Sequence, residues 1–119
     1  MTRTITGLLI PADGNSGIRL VTIPAEWTGV RDAISSQWIE RVRIPIVGAV
    51  MYVDEEGLLE GKPTNRRVSG ILYPGKIVGD ALIIGEEVGP EGPDLASLGS
   101  AAMQLLTTVA GLRLPESAS

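Results

Sequence analysis

Neither cysteine nor histidine occurs in the sequence. Without cysteine there is no disulfide framework, so the fold does not depend on an oxidising compartment. Structural zinc held by Cys or His is excluded. So are Ser–His–Asp and Cys–His nucleophilic arrangements, and any histidine acting as general acid or base. An enzyme built on this chain would have to use carboxylates, a tyrosine, Lys62, Lys76 or a hard metal. Phenylalanine is absent too, and the aromatic complement is two Trp and two Tyr. The core therefore has to come from Val, Ile, Leu and Ala, which are plentiful.

Positive charge is in the minority. Ten basic side chains against fourteen acidic ones leave a net charge of −4, the wrong sign for a general nucleic-acid binder. A local basic patch for a small anion is compatible with that balance. The apolar run before Pro11 is too short for a signal peptide, and no stretch approaches the roughly 18 apolar residues that span a bilayer. The expectation is a cytoplasmic protein with no membrane contact. At 119 residues the chain suits one small domain, expected over 1–114, with 115–119 fraying.

The order of elements follows from periodicity. Residues 2–10, rich in β-branched and aliphatic side chains, read as a strand ending at Pro11. The turn-forming Asp13, Gly14, Asn15 and Gly17 follow, and residues 18–24 pair back as a hairpin. Val30, Ala33, Ile34 and Trp38 recur at helical spacing, which predicts a helix over about 29–40 with Thr28 as N-cap. Trp27 and Trp38 then flank or lie on that helix, as core side chains or as a stacking surface for a base. Two strand-like runs, 41–47 and 49–53, surround Gly48, with Pro45 marking an edge or a bulge. A further strand is predicted over 77–85, and residues 86–94 read as a loop.

The tail has the clearest period. Leu95, Leu98, Ala102, Leu105, Leu106, Val109 and Leu112 fall on one helical face, with Asp94 as a natural N-cap. Ser97, Ser100, Ala101, Gln104, Thr107 and Thr108 form an opposite face that is small and uncharged. That blandness suggests burial on two sides and a homo-oligomer. The whole reads as an α+β domain with a mostly antiparallel sheet, one helix after the N-terminal hairpin and a C-terminal helix.

Charge concentrates in Tyr52–Gly70. Asp54, Glu55, Glu56 and Glu60 lack the spacing of a calcium loop, and adjacent acids in an Asp-Glu-Glu-Gly turn point in different directions. They read as solvated turn charges, and neither a metal nor another cofactor is implied. In Lys62–Arg67, Thr64 and Asn65 are both good N-cap residues, so a short helix is expected there with Arg66 and Arg67 in its first turn. Cations oppose the dipole at that end, so something negative should be close. It is either the Asp54–Glu60 carboxylates or an external phosphate or carboxylate ligand. No phosphate-binding G-x-x-x-x-G-K-[ST] loop and no G-x-G-x-x-G occurs, so nucleoside-triphosphate hydrolysis has no support.

The same stretch resembles a known family. Tyr52, Asp54, Glu55, Gly57, Gly61, Pro63, Asn65 and Arg66, followed by Val78, Gly79 and Asp80, match the pattern of the domain of unknown function 3846. Its members look like short phage, plasmid and actinobacterial proteins. The resemblance implies a mobile-element context, a place in the host cell cytoplasm and an accessory role, with no activity attached; Asn65 and Arg66 are the residues it offers as candidates.

Two functions are then expected. The first is a non-enzymatic binder of an anionic small molecule, such as a nucleotide signal of host defence. Thr64, Asn65, Arg66 and Arg67 would hold the anion, with Tyr52, Tyr73 or Trp38 stacking on the base. The alternative is a protein-interaction module that engages a host protein through an acidic face made by Glu86, Glu87, Glu91 and the Asp54–Gly57 turn.

Overall fold

A computed structural model describes residues 3–90 and 92–113. The chain forms β1 (Thr4–Ile10), β2 (Arg19–Pro24), α1 (Trp27–Ala33), β3 (Ile39–Val42), β4 (Ala49–Asp54), β5 (Ala81–Gly89), β6 (Gly92–Ala96) and α2 (Ser100–Ala110). The sheet runs β2-β1-β5-β4-β3, every pairing is antiparallel, and β6 joins β5 off this path. This is the expected α+β architecture.

The central strands read as almost continuous apolar runs because the sheet is covered on both faces. Along β4, Met51 and Val53 face one side while Val50 and Tyr52 face the other, and in β5 Ala81 and Ile83 alternate with Leu82 and Ile84 in the same way. The first face is closed by α2, through Ala102 and Leu106, by Leu98 and Leu112 on either side of that helix, and by Val68, Leu72 and Ile77 of the long connection between β4 and β5. The second is closed by α1, through Val30 and Ile34. Seven residues of helix cover only part of a sheet face, and the uncovered remainder is where the candidate site lies.

β5 serves two neighbours on one side. Its first residues pair with β1, Leu8 opposite Ile83, and its later ones pair with β6, Gly85 opposite Ala96. The chain leaving β6 then wedges against β1, where Leu98 N–H donates to the Thr6 carbonyl and Thr6 N–H to the Ser97 hydroxyl, both at 2.9 Å. That wedge requires Gly85, since a Cβ there would stand 2.2 Å from the Ser97 carbonyl oxygen.

Several expected boundaries move. The first helix is α1, Trp27–Ala33, capped by Glu26 in place of Thr28. It stops because Ser35 takes a positive φ of 54°, so Trp38 lies beyond it at the entry to β3. The strand expected over 41–47 ends at Val42, and the one expected over 77–85 begins at Ala81. The loop expected over 86–94 is the end of β5 and the start of β6: backbone pairing between the two overrides the local Gly and Pro signals. The C-terminal helix consequently starts at Ser100 after Gly99, and Asp94 belongs to β6. Gly111, at φ 65°, closes that helix and turns Leu112 back into the core. Glu91 and residues 115–119 lie outside the described residues, as does the side chain of Val109.

Candidate functional site

The connection between β4 and β5, residues 55–80, contains no helix and only isolated bridges, Thr64–Val78 and Ser69–Tyr73. The short helix expected at Thr64 is absent because its would-be cap residues are used in pairing. Thr64 bridges Val78, and Asn65 N–H donates to the Ile77 carbonyl at 2.8 Å. The Asn65 side chain is fully buried and donates through Nδ2 to the carbonyls of Ile10, at 2.8 Å, and Gly79, at 3.0 Å. Arg67 donates through Nη2 to the carbonyls of Pro11, at 2.6 Å, and Asp13, at 2.9 Å. These two residues stitch the connection to the β1–β2 turn. Arg66 is exposed and makes no ion pair among the described residues. The pairing of these arginines with Asp54–Glu60 is not formed: Asp54 pairs with Lys62.

Thr64, Arg66 and Arg67 line a groove of about 310 Å³ with Ala12 and Gly14. Tyr73 is elsewhere, half-buried against the core on the α2 side. The residues expected to act together are thus split between separate places, and the arginine step does not meet the stacking residues.

Tyr52 and Trp38 do meet. With Trp27 they line a cleft of about 340 Å³ on the sheet face beside α1, completed by Ile39, Arg31, Arg41 and Gln37. Three of the chain's four aromatic side chains are therefore in one cleft. Trp27 is 50% and Trp38 58% exposed, whereas Tyr52 is buried at the floor. Trp27 meets Tyr52 edge-on, with ring centroids 5.6 Å apart and planes at 70°. The positions follow from local structure. Trp27 and Arg31 are one turn apart on α1, and Arg41 is the cross-strand partner of Tyr52.

The charges in this cleft are unequal. Arg41 reaches across to Glu86 on β5, Nε to Oε2 at 2.8 Å and Nη2 to Oε1 at 2.5 Å, a two-pronged pair. The Arg41 hydrogen bond holds Glu86 below its ordinary value against the opposing effect of burial, helped by the charges of Arg41 and Arg43. Burial, with the nearby Glu86 charge, pushes the Tyr52 phenol up, and Arg41 opposes the rise. Arg31 makes no ion pair among the described residues. Trp38 was legible as a stacking candidate; Arg31 and Arg41 were missed, although the four-residue step from Trp27 to Arg31 signals a shared helix face.

A second hollow of about 670 Å³ adjoins the aromatic cleft and shares Arg31, Gln37 and Trp38 with it. Its other walls are Asp32, Ser35, Ser36, Glu56 and Glu60. Among the described residues no group of three or more Asp and Glu side chains is arranged to hold a metal ion, and no helix is long and apolar enough to cross a membrane.

Fold and site together define a small α+β domain with an open aromatic cleft on one face of an antiparallel sheet. The chain belongs to the family described as Domain of unknown function (DUF3846), whose model matches residues 5–109. No curated protein sequence matches it. Its fold is similar to part of the crystal structure of small RNA methyltransferase HEN1, with a TM-score of 0.65 and 15% sequence identity over 86% of this chain. The chain corresponds to only 16% of that protein's chain, and the likeness is one of fold.

Proposed function

We propose that this protein is a non-catalytic binding domain for a small planar ligand of the nucleotide class, acting by sequestration. The observation that carries the reading is the gathering of Trp27, Trp38 and Tyr52 in one cleft next to Arg31, whose guanidinium makes no ion pair among the described residues. A base entering there stacks on a tryptophan face, an interaction worth about 1–3 kcal/mol per base, while Arg31 meets the anionic group. Sequestration fits a chain with neither histidine nor cysteine, and it suits the mobile-element setting that its family resemblance implies, where a nucleotide signal of host defence is a natural target.

Titration of intrinsic tryptophan emission with nucleoside mono-, cyclic and polyphosphates tests the reading, because both tryptophans of the chain line the cleft. Saturable quenching whose affinity Trp38→Ala weakens by about tenfold or more and Arg66→Ala leaves intact supports it. Absence of any response at millimolar concentrations removes it.

One feature favours a second reading as a protein-interaction module. Leu58 and Leu59 stand 70% and 86% exposed on the turn that carries Glu55, Glu56 and Glu60, an apolar tip in an acidic surround. Glu86 contributes less to such a face, since Arg41 neutralises it. A Leu58→Ser/Leu59→Ser variant that retains every association of the parent chain would count against this reading. Self-association is proposed in turn for the outer face of α2, where Ala101, Gln104 and Thr108 are exposed.

A further inference from the structure

The aromatic cleft and the adjoining hollow form one continuous surface through Trp38, Arg31 and Gln37. Its charge is set by few groups. Arg41 is cancelled by Glu86 through two short hydrogen bonds, which leaves Arg31 as the cation of the surface among the described residues. Against it stand Asp32, Glu56 and Glu60 on the walls of the hollow. One cation facing three carboxylates can balance a single anionic group held close to Arg31. A polyphosphate tail extending from the cleft into the hollow would bring several further negative charges up to those carboxylates, with no second guanidinium to meet them. Sugar hydroxyls are the opposite case, because they donate hydrogen bonds that carboxylates accept, as ribose hydroxyls do to an acidic side chain in dinucleotide sites.

We infer that the ligand is a nucleoside or a nucleotide carrying one phosphate, with its base against Trp27 and Trp38 and its sugar hydroxyls toward Glu56 and Glu60. Polyphosphates are rejected by charge. This rests on the reading of the cleft as a nucleotide site and narrows it. The carboxylates of the hollow act as specificity determinants, setting the number of phosphates the cleft accepts.

The experiment compares adenosine, AMP and ATP, and the matching guanine series, by tryptophan emission at low and high ionic strength. It uses the intact chain and a Glu56→Gln/Glu60→Gln variant whose folding is verified by thermal melting. At low salt the nucleoside or monophosphate is expected to bind at least about tenfold more tightly than the triphosphate. Salt should narrow that gap by screening, and the double variant should narrow it by tightening the triphosphate. A triphosphate that binds as well as the monophosphate at low salt, or a gap untouched by the double variant, overturns the inference and leaves the nucleotide reading standing. If no nucleoside or nucleotide changes the emission, the reading itself falls and the inference with it.

Discussion

Lys62 closes over Asp54: its ammonium pairs with the Asp54 carboxylate and donates, at 2.9 Å, to the Ser35 carbonyl at the end of α1. The other carboxylate oxygen accepts the Glu56 N–H at 2.9 Å. One buried acid thereby joins the end of β4, the turn beyond it and the C-terminal end of α1. The acidic turn is held in place by its first residue, while the carboxylates after it remain at the surface.

The pair makes stability depend on pH. Burial alone would push the Asp54 carboxyl up, but Lys62, the Glu56 N–H and the Ser36 hydroxyl outweigh it and hold it below its ordinary value. A depressed folded value contributes stability that is fully present above the ordinary carboxylate range and is lost as pH falls through the folded value. Lys62→Met leaves the buried carboxylate unpaired and is expected to cost about 3 kcal/mol at neutral pH. The difference between parent and variant should shrink as the solution is acidified. Urea unfolding across the acid range checks this, and a difference that stays constant with pH would show the pair to be energetically silent.

Asn65 and Arg66 are neighbours with opposite expected sensitivities. Asn65 satisfies two buried carbonyls, so Asn65→Ala should destabilise by about 2–3 kcal/mol. Asn65→Asp should cost more, because it replaces the donor with an acceptor facing the carbonyls of Ile10 and Gly79. Arg66→Ala, at an exposed position, should stay within about 0.5 kcal/mol of the parent. Thermal unfolding of the three variants measures the contrast. Equal effects at the two positions would contradict the buried tie.

These assignments show what was legible in the sequence. The hairpin of β1 and β2 follows from period alone, and the period of the tail marks Ala102 and Leu106 of α2 and the flanking Leu98 and Leu112, all buried. Of the same expected face, Leu105 is exposed, and Leu95 belongs to β6 and packs on the other side of the sheet. The start of α2 was not legible, because β6 exists only through its pairing with β5, and a Gly-Pro-rich stretch carries no local mark of that partner. Asn65 stood out as a helix N-cap and as a candidate for holding an anion, yet the groups it binds are backbone carbonyls 55 and 14 residues away, which no side-chain pattern displays. The residues bearing the family resemblance prove to be largely scaffold: Asp54 holds Lys62, Asn65 holds Ile10 and Gly79, and Asp80 accepts the Ala12 N–H at 2.9 Å. Tyr52, which floors the cleft, and the exposed Arg66, which lines the groove beside the β1–β2 turn, are exceptions. Arg31 and Arg41 escaped notice because their convergence depends on where α1 and β3 pack.

The outer face of α2 yields a prediction about assembly. Thr107 and Thr108 turn their hydroxyls back onto the Met103 and Gln104 carbonyls, at 3.3 and 2.9 Å, which leaves an uncharged face of small side chains with the Gln104 amide as its free polar group. If that face joins two copies, Ala101→Glu/Thr108→Glu should convert the assembly to a monomer with little change in unfolding temperature. Light scattering after size exclusion reads the mass. A parent chain that is monomeric at high concentration would dispose of the idea.

The two tryptophans should separate stability from binding. Trp27 is the first residue of α1 and its ring meets the buried Tyr52, so Trp27→Ala removes an aromatic pair and should cost about 1–2 kcal/mol. Trp38 is the more exposed and lies between the two hollows, so Trp38→Ala should leave unfolding within about 0.5 kcal/mol of the parent. Its effect should appear in ligand binding, as a loss of about tenfold or more in affinity, equivalent to one stacking contact. Unfolding curves and calorimetric titrations on the same two proteins make the comparison. If Trp38→Ala leaves affinity unchanged while Trp27→Ala abolishes it, the ligand stacks at the helix side of the cleft alone, and the neighbouring carboxylates lose their hold on its specificity.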